Sequence, residues 1–168
     1  MASRGLSLTA YPDPKTLPEA LCCRYITFGE HFDTFSLQEF YTRYCDSIEA
    51  ATKIFRARRV FTSCQISFTD LCLSLSKGNS PEKTTYLTKL RPLLHPKHAE
   101  TLETLATYLL DANSEIKTTS ELLYIYRNTV QHRLQKVREL IALDATALPD
   151  SYTLYVAAAL HRISQTRG

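Results

Sequence analysis

Residues 123–144 read LYIYRNTVQHRLQKVRELIALD, and this stretch decides the fold of the carboxyl-terminal half of the chain. After a short turn, apolar residues recur at steps of four, three and four, at Val130, Leu134, Val137 and Ile141. This spacing predicts a helix with one buried face. A shorter helix is predicted just before it, at 117–123. The two helices and the turn at 124–126 form a predicted helix-turn-helix at about 117–141.

The rest of the second helix is polar and basic. Between Tyr126 and Arg138 the sequence has four Lys or Arg residues and no acid. Arg, Asn and Gln side chains can form paired hydrogen bonds with base edges in the major groove of DNA, whereas Thr hydroxyls and helix amides can hold phosphate. We therefore predict a duplex-DNA contact surface made of Arg127, Asn128, Thr129, Gln131, His132, Arg133 and Lys136.

The charge distribution favours the same region. The formal net charge of the 168 residues is +3. Residues 1–116 carry 13 basic and 13 acidic residues, whereas residues 117–168 carry 7 basic and 4 acidic residues. The net positive charge thus lies in the last third of the chain. A local basic surface attracts polyanions even when the whole protein is almost neutral, although most short basic runs are only solvated helix faces.

The first half of the chain has a mixed pattern of strands and helices. Its clearest signal is a Ser-x-x-Glu capping box at Ser36 and Glu39, which starts a helix with apolar residues at steps of three and four. Apolar and β-branched stretches predict strands. The predicted elements are a strand at Leu21–Phe28, a helix at Ser36–Phe55, a strand at Val60–Thr62 and a helix at Asp70–Ser76.

The strongest break in the sequence is KGNSP at Lys77–Pro81. We predict a mainly α protein divided at this break. Residues 1–76 would be a small, incomplete α+β segment, and residues 81–168 a helical DNA-binding domain. The predicted helices of the second part are Pro81–Leu94, Lys97–Asp111, Thr118–Leu123, Arg127–Ile141 and Ser151–Ile163.

The second part also resembles a known family. The segments TLETLATYLL and TTSELLYIYRNTVQHRLQKVRELIALD are similar to the carboxyl-terminal DNA-binding domain of PucR/CdaR-type transcriptional regulators. That domain has a His-Arg-Asn-Thr-Leu-like start to its second helix, matched here by residues 126–130, and an Arg-Leu-x-x-Ile-like continuation, matched at 133–144. The final segment SYTLYVAAALHRI resembles the apolar closing helix of the domain. The likeness covers about residues 97–163.

The resemblance implies sequence-specific binding to double-stranded DNA as a homodimer. By likeness to the related Fis-type motif, Arg127 would contact a base edge, and Asn128 and Thr129 a phosphate or a base, with further contacts from Gln131, His132 and Arg133. Lys136 completes the predicted surface. Two departures from the family pattern bear on which bases are recognised: Tyr126 stands for the usual His, and Gln131-His132 for the more usual Arg-Tyr.

Upstream of residue 97 the resemblance is weaker. The helix at 36–55, followed by SFTDL and a linker, is similar to the end of the central domain of these regulators, which has a degenerate cyclase-like α+β fold. The chain would then be a carboxyl-terminal fragment or a small stand-alone relative without the usual amino-terminal sensing module. A small-metabolite effector could act through that missing or partial module.

Other functional sites have weaker support. His95 and His98 have no nearby cysteine or carboxylate that would complete a metal site, so loop or capping roles are favoured. Cys22-Cys23 fits a buried strand better than a redox pair, and Cys45 with His31 lacks an orienting group for catalysis. We expect no enzyme activity, no cofactor, no metal and no membrane span. A reduced, cytoplasmic protein accounts best for five scattered cysteines.

Two alternatives to DNA binding stay open at this stage. The helix-turn-helix could be a protein-interaction or dimerisation module that lacks DNA contacts. Residues 1–76 could be the remnant of a metabolite-binding domain. The buried stripe of the second helix does not discriminate between these hypotheses, because a packing helix needs the same apolar residues. Arg127, Asn128 and Thr129 do discriminate, because a helix start without an anionic partner gains little from them.

Overall fold

The computed structural model describes residues 26–27, 47–77 and 81–165. The described part is mainly α, as predicted. Its elements are β1 (Ile26–Thr27), α1 (residues 47–54), β2 (Val60–Phe61), α2 (Ser63–Ser76), α3 (Pro81–Leu90), α4 (Ala99–Ala106), α5 (Ile116–Leu123), α6 (Arg127–Ile141) and α7 (Asp150–Ser164). Short 3₁₀ helices at Arg91–Leu94 and Pro96–His98 join α3 to α4, and a π-helical turn, Thr107–Asp111, extends α4.

The two strands form a small parallel pair. Ile26 lies opposite Val60 and Thr27 opposite Phe61. Each strand lies inside a stretch that the sequence predicts as a strand, so both predictions are confirmed for these residues. The predicted capping box at Ser36 and Glu39 lies outside the described residues. Of the predicted helix at 36–55, residues 47–54 are helical.

Helix α2 begins seven residues earlier than the sequence analysis predicted. Its start is a capping box of Thr62 and Gln65. The Gln65 amide donates to Thr62 Oγ1 at 3.3 Å, and the Thr62 amide donates to Gln65 Oε1 at 3.0 Å. A Gln in place of Glu at the third position serves the same purpose. The predicted start at Asp70 was therefore wrong.

Two long predicted helices are divided in the structure. The predicted helix 81–94 is α3 followed by a 3₁₀ turn, because Pro92 has no amide to continue the α-helical hydrogen bonding. The predicted helix 97–111 consists of a 3₁₀ turn, α4 and the π turn. In that π turn the Ala112 amide donates to the Thr107 carbonyl at 2.9 Å.

Helix α7 lies at the centre of the hydrophobic core. Three consecutive alanines, residues 157–159, are fully buried on it together with Leu154 and Leu160. Because alanine side chains are small, α3 can pack closely along α7. The other face of α7 meets α2 and the π turn.

The hydrophobic core includes residues from both sides of the break after Lys77. Phe55, Phe61 and Cys72 from the first part belong to one buried cluster with Leu90 and Leu105 from the second. The tilted ring pair Phe68–Tyr155, with centroids 4.8 Å apart, also joins the two parts. The division into segments 1–76 and 81–168 stays a prediction. The described residues on both sides share one core.

A buried ion pair of the second part makes hydrogen bonds to the backbone of the first. Arg162 of α7 is 2% exposed, and its Nη1 donates to Asp111 Oδ2 at 2.7 Å and to the Ile54 carbonyl at 2.6 Å. Asp111 Oδ1 accepts from the Ala57 amide at 3.1 Å. The π turn thereby places Asp111 between α7 and the segment that follows α1.

Within the described ranges, the structure has no helix that is both long and apolar enough to cross a membrane.

Candidate nucleic-acid interface

The turn between α5 and α6 is set by the end of α5. Tyr124 has left-handed backbone angles (φ 55°, ψ 41°), and its amide donates to the Glu121 carbonyl at 3.3 Å. The Ile125 amide donates to the Ser120 carbonyl at 3.0 Å. This pair of hydrogen bonds is a Schellman motif, in which an apolar residue after the left-handed position packs inward. Ile125 does so, because its half-buried side chain packs against the core.

Helix α6 then starts at Arg127. Tyr126 has extended backbone angles, and its carbonyl accepts from the Thr129 amide at 2.9 Å and from the Val130 amide at 3.2 Å. No side chain caps this helix start, and its first turn has no acidic residue. The start of α6 therefore combines the positive end of the helix dipole with a cation.

The predicted buried stripe of α6 is confirmed. Val130, Leu134 and Val137 are buried, and Ile141 is half-buried against the core. Helices α4 and α5 both pack against α6. The helix ends at Ala142, which has left-handed angles (φ 54°) and donates its amide to the Arg138 carbonyl at 2.9 Å. Both ends of α6 match the predicted bounds.

The seven predicted contact residues fall into two groups. Four are exposed to solvent, and three are half-buried at the edge of the α4 side. With 3.6 residues per helical turn, the side of α6 opposite the buried stripe carries Asn128, His132 and Gln135. The exposed residues are Arg127, Asn128, Gln131 and His132, and the half-buried ones are Thr129, Arg133 and Lys136.

Arg133 does not belong to the exposed surface. Its side chain is 21% exposed, its Nη2 is ion-paired with Glu100, and its Nη1 donates to Thr104 Oγ1 at 3.2 Å. Both partners lie on α4. The guanidinium thus links α6 to α4, which supports a positioning role for Arg133 beside its predicted contact with DNA.

Lys136 lies beside the 3₁₀ turn at 96–98. The pKa of His98 is lowered first by burial and then by the positive charges of Lys136, Lys97 and His95. From Lys83 to Ala99 the chain has four Lys or Arg residues, two His and no acid. Of these cations, Lys89, Arg91 and Lys97 are exposed. The sequence alone does not associate this basic segment with α6, because its position beside α6 depends on the fold.

The opposite edge of α6 borders a small cleft of about 170 Å³. There, Arg138 Nη1 lies 3.4 Å from Asp144 Oδ2, and the two side chains form an ion pair. Hydrogen bonds from the Thr146 hydroxyl and amide lower the pKa of the Asp144 carboxyl, and Arg138 contributes. The cleft is lined by Ile116, Gln131, Leu134, Gln135, Arg138, Asp144, Ala145 and Thr146. Asp144 thus partly compensates the charge of Arg138. Among the described residues, no carboxylate lies within 4 Å of the Arg127 guanidinium.

The prediction for His95 and His98 can be compared with the structure. His95 caps the 3₁₀ turn, since its Nδ1 accepts from the Lys97 amide at 3.3 Å. This confirms the capping role for His95. Across the described ranges, no group of three His, Cys, Asp or Glu side chains is placed to hold a metal ion. Cys22, Cys23, Cys45 and His31 lie outside those ranges.

Comparison with known proteins places the helix-turn-helix in a family. Residues 101–160 match the PucR C-terminal helix-turn-helix domain. An uncharacterized protein of Haemophilus influenzae is 32% identical over 71 residues, which are 42% of this chain and 19% of that protein. The chain thus spans about a fifth of that relative's length. No solved structure matches the chain.

The matched range contains the whole of α5 and α6, the turn between them and α7 as far as Leu160. The observed geometry, with a Schellman turn followed by a helix that has one buried stripe, is that of a helix-turn-helix. In sequence, residues 101–160 of this chain are thus similar to the PucR C-terminal helix-turn-helix domain, and in structure they contain a helix-turn-helix.

Proposed function

We propose that this chain is a sequence-specific, double-stranded DNA-binding transcriptional regulator, or the carboxyl-terminal part of one. Helix α6 would lie in the major groove, which is wide enough to admit an α-helix. One observation carries the proposal: α6 is held by α4 and α5, its face opposite the buried stripe exposes Asn128, His132 and Gln135, and Arg127 and Gln131 are exposed at the side of that face.

Contacts with bases are assigned to the exposed residues in the first two turns of α6. Arg127 can form two hydrogen bonds with guanine, and Asn128 or Gln131 can do the same with adenine. His132 lies one turn after Asn128 on the same face. Thr129 is half-buried at the edge of this face, where its hydroxyl would reach a phosphate.

Contacts with the DNA backbone are assigned to the α4 side. Lys136 and Lys97 both lie close enough to His98 to lower its pKa, and Arg91 and Lys89 are exposed on the 3₁₀ turn and α3 that precede them. Phosphate contacts position a protein on the duplex and make affinity depend on salt. The acid-free segment 83–99 therefore supports a DNA-backbone contact beside the groove.

The proposal includes a homodimer and a cytoplasmic location. A two-fold dimer places its recognition helices about 34 Å apart, or a multiple of that distance, on one side of the duplex. A small-metabolite effector, acting through residues outside the helix-turn-helix, is part of the same proposal. We propose no enzymatic step.

In-vitro selection from a pool of random duplexes tests the function. At about 0.15 M salt, non-specific binding by basic surfaces is weakened, and only sequence-specific binding should enrich one motif. We expect a two-fold symmetric motif. Absence of any enriched motif, together with salt-insensitive binding to a protein partner, would favour the interaction-module hypothesis instead.

A further inference from the structure

Two tyrosines flank the turn of the helix-turn-helix and are almost fully exposed. Tyr124 is 95% exposed and Tyr126 is 86% exposed, whereas Ile125 between them packs against the core. Among the large apolar and aromatic side chains of the described residues, these two are the most exposed. Neither side chain therefore contributes packing that would explain its presence.

The backbone at Tyr124 favours a different residue. Its φ of 55° lies in the left-handed region, where a Cβ atom is unfavourable and Gly is the usual choice. A bulky aromatic residue at such an angle is an outlier. The fold alone would be served better by Gly or Asn at this position.

Tyr126 also occupies a position at which folding favours another residue. It precedes the first residue of α6, where Ser, Thr, Asp or Asn would accept a hydrogen bond from a free helix amide. The Tyr126 side chain makes no such bond. Local choices that disagree with the fold without a compensating contact are expected at functional sites.

We propose that Tyr124 and Tyr126 bind the sugar-phosphate backbone of the DNA where α6 enters the groove. This inference rests on the proposed function of α6. Each hydroxyl would donate a hydrogen bond to a phosphate oxygen, and each ring would pack on deoxyribose. An exposed Tyr suits this contact, because it has an apolar body and a polar tip. Tyr side chains are among those that contact DNA backbone.

The neighbouring charges favour DNA over a second copy of this chain. Arg127 follows Tyr126 directly, and the first turn of α6 has no acid. In a two-fold interface centred on the tyrosines, Arg127 would face its own copy, and like charges oppose each other. A polyanion at the same place would be attracted by Arg127 and by the positive end of the helix dipole.

The test compares stability with affinity. Tyr124→Gly removes the left-handed strain, and Tyr126→Ser supplies a helix cap, so we expect the denaturation midpoint of each variant to rise or stay unchanged. Affinity for the duplex enriched by the wild-type chain should fall roughly ten-fold in each variant. The loss should be equal for all single-base variants of that duplex, because backbone contacts carry no base information. Tyr126→Phe should show the share of this loss that comes from the hydroxyl.

Tyr152→Ser is the matched control, since Tyr152 is an exposed tyrosine on α7. It should bind the duplex as the wild type does. Unchanged affinity in both turn variants would overturn the inference while leaving the function of α6 intact. A fall in stability would show a structural role, and a change in sedimentation without a change in DNA affinity would show a protein contact. Either result would also overturn it. Failure of the wild type to enrich any duplex would instead reject the function on which the inference rests.

Discussion

Arg133 of α6 and Glu100 of α4 form an ion pair that links these two helices. The same guanidinium donates to Thr104 Oγ1, and the Thr104 hydroxyl donates to the Glu100 carbonyl at 2.8 Å. Of the three Arg residues on α6, Arg133 thus supports the orientation of the helix, whereas Arg127 stays available at its start. The two residues should respond differently to substitution.

Arg133→Ala should lower the free energy of unfolding by about 1 kcal/mol, because it removes a half-exposed ion pair and one hydrogen bond. The Thr104 hydroxyl keeps its bond to the Glu100 carbonyl, so no buried polar group is left without a partner. Urea unfolding measures the change. Lys53→Ala, which breaks the exposed Lys53–Glu49 pair on α1, is the control and should lower the free energy of unfolding less. Equal stability of Arg133→Ala and wild type would contradict the supporting role.

The buried pair of Arg162 and Asp111 should matter far more. Arg162→Met leaves the Asp111 carboxylate buried without its cation, and unfolding free energy should fall by roughly 3–5 kcal/mol. Asp111→Leu should have a similar effect. The double variant Arg162→Met/Asp111→Leu should recover much of the loss, because two apolar side chains leave no unpaired charge. A double variant as unstable as the sum of the two single ones would refute this coupling.

The two cysteines that the structure describes should differ in reactivity. Cys72 is buried in the core, and burial raises the pKa of its thiol to about 12, whereas Cys64 is exposed. Since the thiolate is the reactive form, alkylation of the folded protein at mildly basic pH should modify Cys64 and spare Cys72. Peptide mass spectrometry locates the modification. In denaturant both should react, and equal labelling of the two in the folded protein would contradict the burial of Cys72.

Stability should fall in mild acid because of two histidines. Burial is the main cause that lowers the pKa of both His98 and His161 in the folded protein. Their unfolded pKa is about 6.5, so the unfolded chain binds more protons below that pH. Stability from these groups is therefore complete above pH ~6.5 and is lost as the pH falls towards the folded pKa values. The unfolding free energy of His98→Asn should depend less steeply on pH than that of the wild type, and identical slopes would count against this origin.

The bounds of α6 could be predicted from sequence because every signal there is local. The stripe at Val130, Leu134 and Val137 sets the buried face, and the helix ends where the backbone reverses at Ala142. The start of α5 at Ile116 lies one residue from its predicted place. The resemblance of the same residues to the PucR C-terminal helix-turn-helix domain predicts this motif independently.

The features that the sequence analysis missed depend on contacts between distant residues. Glu100 lies 33 residues before Arg133, so the ion pair that links Arg133 to α4 appears only in the fold. The π turn likewise places Asp111 against Arg162, 51 residues later. The exposure of Tyr124 and Tyr126 could not be predicted from the sequence either, since an aromatic residue in a turn can be packed or exposed. For α2, the local signal was present at Thr62 and Gln65 and was overlooked.

The most direct test of the central claim, that the exposed face of α6 recognises base pairs, compares Arg127→Ala with Arg133→Ala. Binding free energies would be measured for every single-base-pair variant of the selected duplex. Arg127→Ala should lose roughly 1–3 kcal/mol of discrimination at one base pair and keep the rest, while Arg133→Ala should keep the wild-type preference at every position. A uniform loss for Arg127→Ala, or a lost base preference for Arg133→Ala, would contradict the account.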